Sequence, residues 1–386
     1  MNEFVFNSSK SVICKPGATS ELGTLCQQII GQRVLIVTDR GIIDAGLLKP
    51  VVDALKLVGI EPVVFDEVLA DPADSIVLAA TRLATDNAIE GVIGLGGGSS
   101  LDVAKLVALL AKGEESLEAI YGVNLVQGQR LPLIQIPTTA GTGSEVTAVA
   151  IITVGENEKK GVVSPRLLPD LALLDAELTL GLPPMITATT GVDAMVHAIE
   201  AYTSRSPNHN PISDALAKEA LVMLGSNIES AVADGRDLQV RAEMLLGSLL
   251  AGQAFANSPV AAVHALAYPL GGIYHLSHGL TNALVLPHVM RFNQTVCADQ
   301  YAKLAPLVFP ALQEVGDESM RSNTFIDSLS QLNQRLGMQV RLRDYAIPES
   351  ALPTLAQEAM KQTRLLVNNP REVAESDALA IYQAAW

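Results

Sequence analysis

Three of the chain's six histidines fall within HALAYPLGGIYHLSH, residues 264–278, and the tract from Met244 to Met290 around them contains no Asp, Glu, Lys or Arg. Imidazoles in so apolar a setting need hydrogen-bond partners or a bound ion, because an unpartnered buried polar group is costly. A second segment, TTGVDAMVHAIEAYTS (189–204), carries Asp193 and His197 four residues apart. In a helix that spacing stacks both side chains on one face, and Thr189 or Thr190 is placed to cap such a helix. A carboxylate and an imidazole converging in this way make half a site for a divalent metal, and His264 with His278 would bring it to four ligands. Oxygen and imidazole donors without thiolate suit Fe2+ or Zn2+ and do not choose between them. One carboxylate against a divalent ion leaves the site positive, which suits an alkoxide. Taken singly, each histidine reads better as a hydrogen-bonded core residue; the combination is what points to a metal. His209 and His288 are read as surface or core histidines, and His275 stays unassigned.

The segment GLGGGSSLDVAK (94–105) runs from a strand-like stretch through a glycine-rich turn into a helix. Gly96, Gly97, Gly98 and Ser99 form a phosphate cradle, since small residues admit a phosphate close to the backbone and a helix start offers free N–H groups and a positive dipole end. The pattern departs from the dinucleotide fingerprint: Ser99 stands where a third glycine is expected, and Asp102 comes too soon to be the acid found about 20 residues further on. It is not a Walker loop either, because no GK[ST] follows. Asp39 closes RVLIVTD (33–39), where a carboxylate can accept hydrogen bonds from a ribose diol and repel a 2′-phosphate, favouring NAD over NADP. An ordinary helix-capping Asp is the equal alternative. IPTTAGTGSEVT (136–147) follows another strand and offers hydroxyls and glycines to the diphosphate or nicotinamide end, although such stretches also form plain loops.

The elements that must position these residues divide into two rhythms. In the first half, short β-branched runs (RVLIVTD, EPVVFDE, GVIGLGGG, LPLIQIPTT) alternate with helix-like stretches, which predicts a parallel sheet covered on both faces. From Thr189 onward the periodicity is helical almost throughout. The paired prolines Pro183–Pro184 mark the change by stopping a helix and stiffening the connection. The expected architecture is an α/β domain over residues 1–184 and an all-helical domain over 185–386, with a cleft between them.

Composition narrows the function classes. A length of 386 residues with 49% hydrophobic and 17% charged residues suits two domains with large cores. A formal charge of −15 argues against nucleic acid or an anionic membrane surface as partner. The three cysteines show no CxxC spacing, so a disulfide framework or zinc–thiolate site is not expected and a reducing cytoplasm is the simple reading. The start MNEFVFNSSKSV lacks the pattern of a signal peptide. Gln253, Asn257, Pro259, His264, Pro269 and Gly271–Gly272 interrupt the uncharged tract, which is therefore read as buried helices and not as a membrane span. The apolar C-terminal half favours a homodimer or higher homo-oligomer.

Four motifs in order, GGGSSLDVAK, IPTTAGTGSEVT, ATTGVDAMVHAIEAYTS and HALAYPLGG…SHGLTNALVLPHVMRFN, resemble the iron-containing (group III) alcohol dehydrogenases over about residues 5–300. The resemblance implies a dehydroquinate synthase-like fold, with a Rossmann-like N-terminal nucleotide domain and an all-α C-terminal metal domain. It implies metal ligands at Asp193, His197, His264 and His278. Cofactor positions carry over to Asp39, Asp71, Gly97, Gly98, Ser99, Asp102, Thr138, Thr139, Thr142, Ser144, Thr147, Val149, Lys160 and Thr179, with Asp39 tied to NAD preference. Phe255 matches an aromatic position beside nicotinamide and substrate. Two departures stand out. Members often have a further histidine where this chain has Tyr268, so any proton relay there must run through Tyr268 differently or through water. The position of Asp71 is commonly Asn, and an acid there disfavours a 2′-phosphate further.

The reading that follows is reversible hydride transfer between NAD and a small primary alcohol or diol, with Fe2+ or Zn2+ as Lewis acid. A hydroxy-acid dehydrogenase or transhydrogenase of the same family ranks lower, as no Arg is evident to clamp a carboxylate. An NAD-using carbon–oxygen lyase of the dehydroquinate synthase type would need several basic residues, and the region around the metal candidates is poor in them. A non-catalytic metal or nucleotide binder would not need both constellations intact.

Overall fold

The computed structural model describes residues 3–155 and 158–386; Met1 and Asn2, the head of the N-terminal segment considered above, and Glu156 and Asn157 lie outside it. The chain divides into two compact units, one from Asn7 to Gly181 and one holding Leu182–Trp386 with the described residues before Asn7. Those leading residues join the helical unit because the Val5 backbone pairs in both directions with the Asn208 side-chain amide, at 2.9 Å each way.

The first unit contains strands β1 (Val12–Cys14), β2 (Val34–Val37), β3 (Val63–Phe65), β4 (Gly91–Gly96), β5 (Gly122–Val123), β6 (Leu133–Pro137), β7 (Val149–Val154), β8 (Glu158–Val163) and β9 (Leu171–Leu174). Its helices are α1 (Leu22–Cys26), α2 (Arg40–Asp44), α3 (Leu48–Lys56), α4 (Asp74–Asp86) and α5 (Gly98–Leu110). Six strands form one sheet in the order β1-β9-β6-β4-β2-β3, and every neighbouring pair is parallel. Side chains alternate between the faces of a strand, so β2 feeds two cores. Val34 and Ile36 pack with Leu22 of α1 and Val51 and Leu55 of α3, whereas Leu35 and Val37 pack with Val77 of α4 and Val103 and Val107 of α5. Burial on both faces is why these strands read as unbroken apolar runs. A smaller sheet, β5-β8-β7, adds Ala150, Ile152 and Val162 to the core beside α5.

Strand order reverses at β2. The chain leaves β2 for β3 on one side and returns to β4 on the other, so the crossovers diverge and a crevice opens beyond the C-terminal ends of β2 and β4. In open α/β sheets ligands bind at such a switch point.

The second unit is helical: α6 (Pro184–Thr203), α7 (Pro211–Ala233), α8 (Leu238–Asn257), α9 (Ala262–Tyr274), α10 (His278–Val308), α11 (Glu318–Arg335), α12 (Leu352–Met360), α13 (Thr363–Leu366) and α14 (Glu375–Ala385). Among the described residues no helix is long and apolar enough to cross a membrane. The paired prolines begin α6 where a stop was expected. Pro184 takes its first position, where the missing N–H has no intrahelical partner to lose. Thr189 and Thr190 therefore lie inside α6 and do not cap it; their hydroxyls donate back to the carbonyls of Met185 and Ile186. α9 ends at His275, an exposed residue in the left-handed region (φ 55°), and Ser277 then leads into α10. His209, half-buried, bonds the Ser258 hydroxyl through Nδ1 and pairs with Asp214. His288 is partly buried; desolvation pushes its imidazole down to about 4, with the nearby Arg291 adding to the shift.

Candidate active site

α6 carries Asp193 and His197 one turn apart, α9 carries His264 in its first turn, and α10 begins with His278. One ligating atom from each of the four lies within 4.8 Å of every other. Asp193, His197 and His264 are buried and His278 is partly exposed. The rings form a continuous stack: Phe255 on His197 at 4.3 Å between centroids, His197 on His264 at 4.8 Å, and His278 tilted against His264 at 5.2 Å. Tyr268 approaches the open side, its ring 5.9 Å from that of His278. Burial raises the Asp193 carboxyl, but the charges of His278, His197 and His264 and the Asn282 amide outweigh it and hold the group below its ordinary value. One carboxylate and three imidazoles without thiolate are a donor set that fits a tetrahedral divalent ion.

The close approach of α10 to α6 depends on Gly279. A β-carbon there would overlap the Thr189 carbonyl oxygen, backbone that has no room to yield. Gly279→Ala is expected to destabilise the protein by about 1–3 kcal/mol, as overpacking does, and to lower bound metal, because His278 is its chain neighbour. Melting curves and metal analysis check both; a variant with native stability and full metal content would contradict the packing argument.

Two further residues complete the centre. The Asn282 amide donates to Asp193 Oδ1 at 2.6 Å and lies 3.2 and 3.3 Å from Nε2 of His264 and His278. Glu200 bonds His264 Nδ1 at 2.6 Å. Both had a signal in the spacing, Asn282 four residues after His278, and Glu200 three after His197 on the same helix face. Glu200 also corrects the charge expected at the site: a second buried carboxylate stands against the ligands, so with a divalent ion the cluster is close to neutral.

In the α/β unit the sequence candidates gather at the C-terminal ends of four adjacent strands. Asp39 follows β2, Gly97, Gly98 and Ser99 follow β4, Thr138, Thr139 and Thr142 follow β6, and Thr179 lies in the turn after β9. Asp39 is a helix cap, one of the two readings the sequence allowed. Its Oδ1 caps α2 by accepting from the Ile42 N–H, and its Oδ2 accepts from the Ser100 hydroxyl at 3.1 Å, beside the glycine turn. Gly96 has φ 149°, and a β-carbon on Gly98 would sit 2.8 Å from the Thr142 methyl. Gly97 precedes α5 and gives it no side-chain cap, so the free N–H groups of its first turn suit a phosphate. Thr179 is buried and donates to the Ala176 carbonyl.

Asp102, Ser144, Thr147 and Val149 are brought together around a residue that the phosphate-cradle reading passes over. Lys105 is fully buried on α5, and its ammonium bonds the Asp102 carboxylate (3.2 Å), the Ser144 and Thr147 hydroxyls (2.7 and 3.0 Å) and the Val149 carbonyl (2.7 Å). Asp102 also accepts from Ser144 and from the Ile151 N–H. These residues clamp the loop after β6 to α5. Asp71, at φ 53°, pairs with Lys159 at 2.5 Å, and Lys160 on β8 stands 5.5 Å from the Tyr121 ring centroid.

Beside the clamp, burial raises the Glu145 carboxyl to about 7. An acid whose folded value is raised stabilises the fold below its unfolded value and loses that stabilisation as pH rises through the folded one. The unfolding free energy of the unsubstituted protein minus that of Glu145→Gln is therefore expected to fall between about pH 4.5 and 7. Denaturant titrations across that window test it, and a flat difference would show that Glu145 does not titrate there.

Known proteins match along nearly the whole chain. Residues 9–176 match the model of the iron-containing alcohol dehydrogenases, and residues 187–386 match that of the C-terminal region of the same family. The chain belongs to the iron-containing alcohol dehydrogenase family. The dehydrogenase is 39% identical over 378 residues to long-chain-alcohol dehydrogenase 1 of Geobacillus thermodenitrificans, covering 96% of this chain and 93% of that one. Its structure superposes on the crystal structure of a 1,3-propanediol oxidoreductase with TM-score 0.95 at 34% identity, over 100% of both chains. It also matches sulfoacetaldehyde reductase from Bifidobacterium kashiwanohense in complex with NAD+, with TM-score 0.87 at 27% identity over 99% and 98%. The α/β-then-helical architecture read from the sequence is that of these neighbours.

Proposed function

We propose that this dehydrogenase interconverts small primary alcohols or diols and their aldehydes with NAD, using Fe2+ or Zn2+ held by Asp193, His197, His264 and His278. The observation that carries the reading is the convergence of those four side chains from three helices onto one point. When bound, the ion would supply Lewis-acid polarisation of the alcohol oxygen, and a nicotinamide would supply the hydride acceptor. The protein's part is positional. Asn282 holds one Asp193 oxygen, Phe255 shields the face of His197, and the burial of Asp193, His197 and His264 strengthens the charge interactions there. Tyr268 sets its ring 5.9 Å from that of His278, the partly exposed member of the cluster. Named relatives acting on a long-chain alcohol and on 1,3-propanediol support an alcohol as substrate, and the NAD+ complex of a structural neighbour supports the nucleotide. The metal-loaded protein incubated with NAD+ and a panel of primary alcohols and diols should generate NADH absorbance; none from any alcohol would defeat the reading.

Asp39 is assigned to the adenosine ribose. A 2′-phosphate against its carboxylate would face like charge, so Asp39→Gly is expected to raise the NADP-to-NAD ratio of kcat/KM by about tenfold or more, that is, by about 1.4 kcal/mol. Stability should change by only a few tenths of a kcal/mol, because glycine is an acceptable helix cap. An unchanged ratio would remove Asp39 as the discriminator.

A further inference from the structure

Asp193, His197 and Glu200 form one inward stripe of α6, and the carboxylate of Glu200 is buried, its residue only 4% exposed. Each of its oxygens has a distinct partner on α9. Oε1 accepts from the Val263 N–H at 2.7 Å, and Oε2 bonds Nδ1 of His264 at 2.6 Å. The first bond satisfies a donor that α9 cannot satisfy itself, because its leading residue Ala261 has no side chain able to cap it. The second decides which nitrogen His264 presents to the other ligands. With Nδ1–H given to the carboxylate, Nε2 is left without a proton on the side where the Asn282 amide and the remaining ligands gather.

We infer that Glu200 is the positioning residue of the metal centre: it anchors the first turn of α9, fixes the tautomer of His264 and raises the donor strength of its Nε2. A carboxylate bonded to a ligating imidazole does this in metal sites generally, and removing it weakens metal binding by about 10–100-fold. The inference rests on the metal reading above and adds a residue that touches neither ion nor substrate. Glutamine at this position has the same size but must turn an NH2 group toward one of two donors. Facing His264, that group would favour the proton on Nε2, where it blocks coordination.

The test measures Zn2+ affinity by competition with a chromophoric chelator, for the full-length protein, Glu200→Gln, His264→Ala and the double variant, with circular dichroism to compare folding. Glu200→Gln should weaken Zn2+ binding by about 10–100-fold in the native background and by less than about threefold in the His264→Ala background, because a residue acting through His264 has nothing left to act on. Equal weakening in both backgrounds would mean that Glu200 only braces the helices, and no weakening in the native background would also overturn the inference. If the unsubstituted protein itself binds no Zn2+, the metal reading falls, and this inference with it.

Discussion

Asp193→Ala is expected to leave a folded protein that neither retains a divalent metal nor oxidises alcohols. The carboxylate is the single acidic group in the four-residue cluster, it is buried, and the neighbouring imidazoles and the Asn282 amide hold it below its ordinary value. Its replacement leaves three neutral donors, and polarisation of the substrate oxygen is lost with the ion. That polarisation is worth several kcal/mol, and each 1.36 kcal/mol is a factor of ten in rate, so kcat/KM should fall by about a thousandfold or more. Asp193→Asn separates charge from shape. It can still accept the Asn282 hydrogen bond, and it should lose most of the activity while keeping the melting behaviour of the metal-free parent. Metal analysis and NADH production on the same preparations provide the check. Full activity in metal-free Asp193→Ala would rule out the assigned role.

The four side chains that converge into the candidate metal cluster were legible because their signal is local. Four-residue spacing on a helix puts Asp193 and His197 on one face whatever the tertiary structure, and two histidines in an uncharged tract stand out against composition alone. The parallel sheet was legible for the same reason, since burial on both faces leaves unbroken apolar runs. What stayed hidden was set by packing between elements. Lys105 looks like a soluble tail to the glycine motif, and only the return of the loop carrying Ser144 and Thr147 explains why a lysine can be fully buried. Glu200 is one of three buried ionisable groups on α6, with Asp193 and His197, but its partners sit on α9, some sixty residues later. The prolines at 183 and 184 read as a stop, whereas Pro184 opens α6. The reason is that proline fits the first turn of a helix, where no N–H is required.

The largest effect on stability is expected from Lys105→Met. Methionine nearly matches the length and volume of lysine and its thioether packs readily, so the substitution removes charge and donors while leaving little void. Burial pushes the Lys105 ammonium below its ordinary value, yet the adjacent Asp102 and Glu145 oppose that shift. The cation is thus costly to bury and is retained by its partners. Without it, Asp102 keeps the Ser144 hydroxyl and the Ile151 N–H but loses its counter-charge, while the Val149 carbonyl and the Thr147 hydroxyl lose their donor. Breaking a buried pair from one side typically costs about 3–5 kcal/mol, and a loss of that size is expected in urea unfolding with little change in slope. Adding Asp102→Asn should recover part of the loss, because the carboxylate left unpaired is then neutral. A loss below about 1 kcal/mol, or a double variant less stable than the sum of the single changes, would show that the ammonium does not hold the loop. The loop it clamps carries Thr142 beside Gly98, so the same substitution should weaken NAD binding even though Lys105 is too deep to touch the nucleotide.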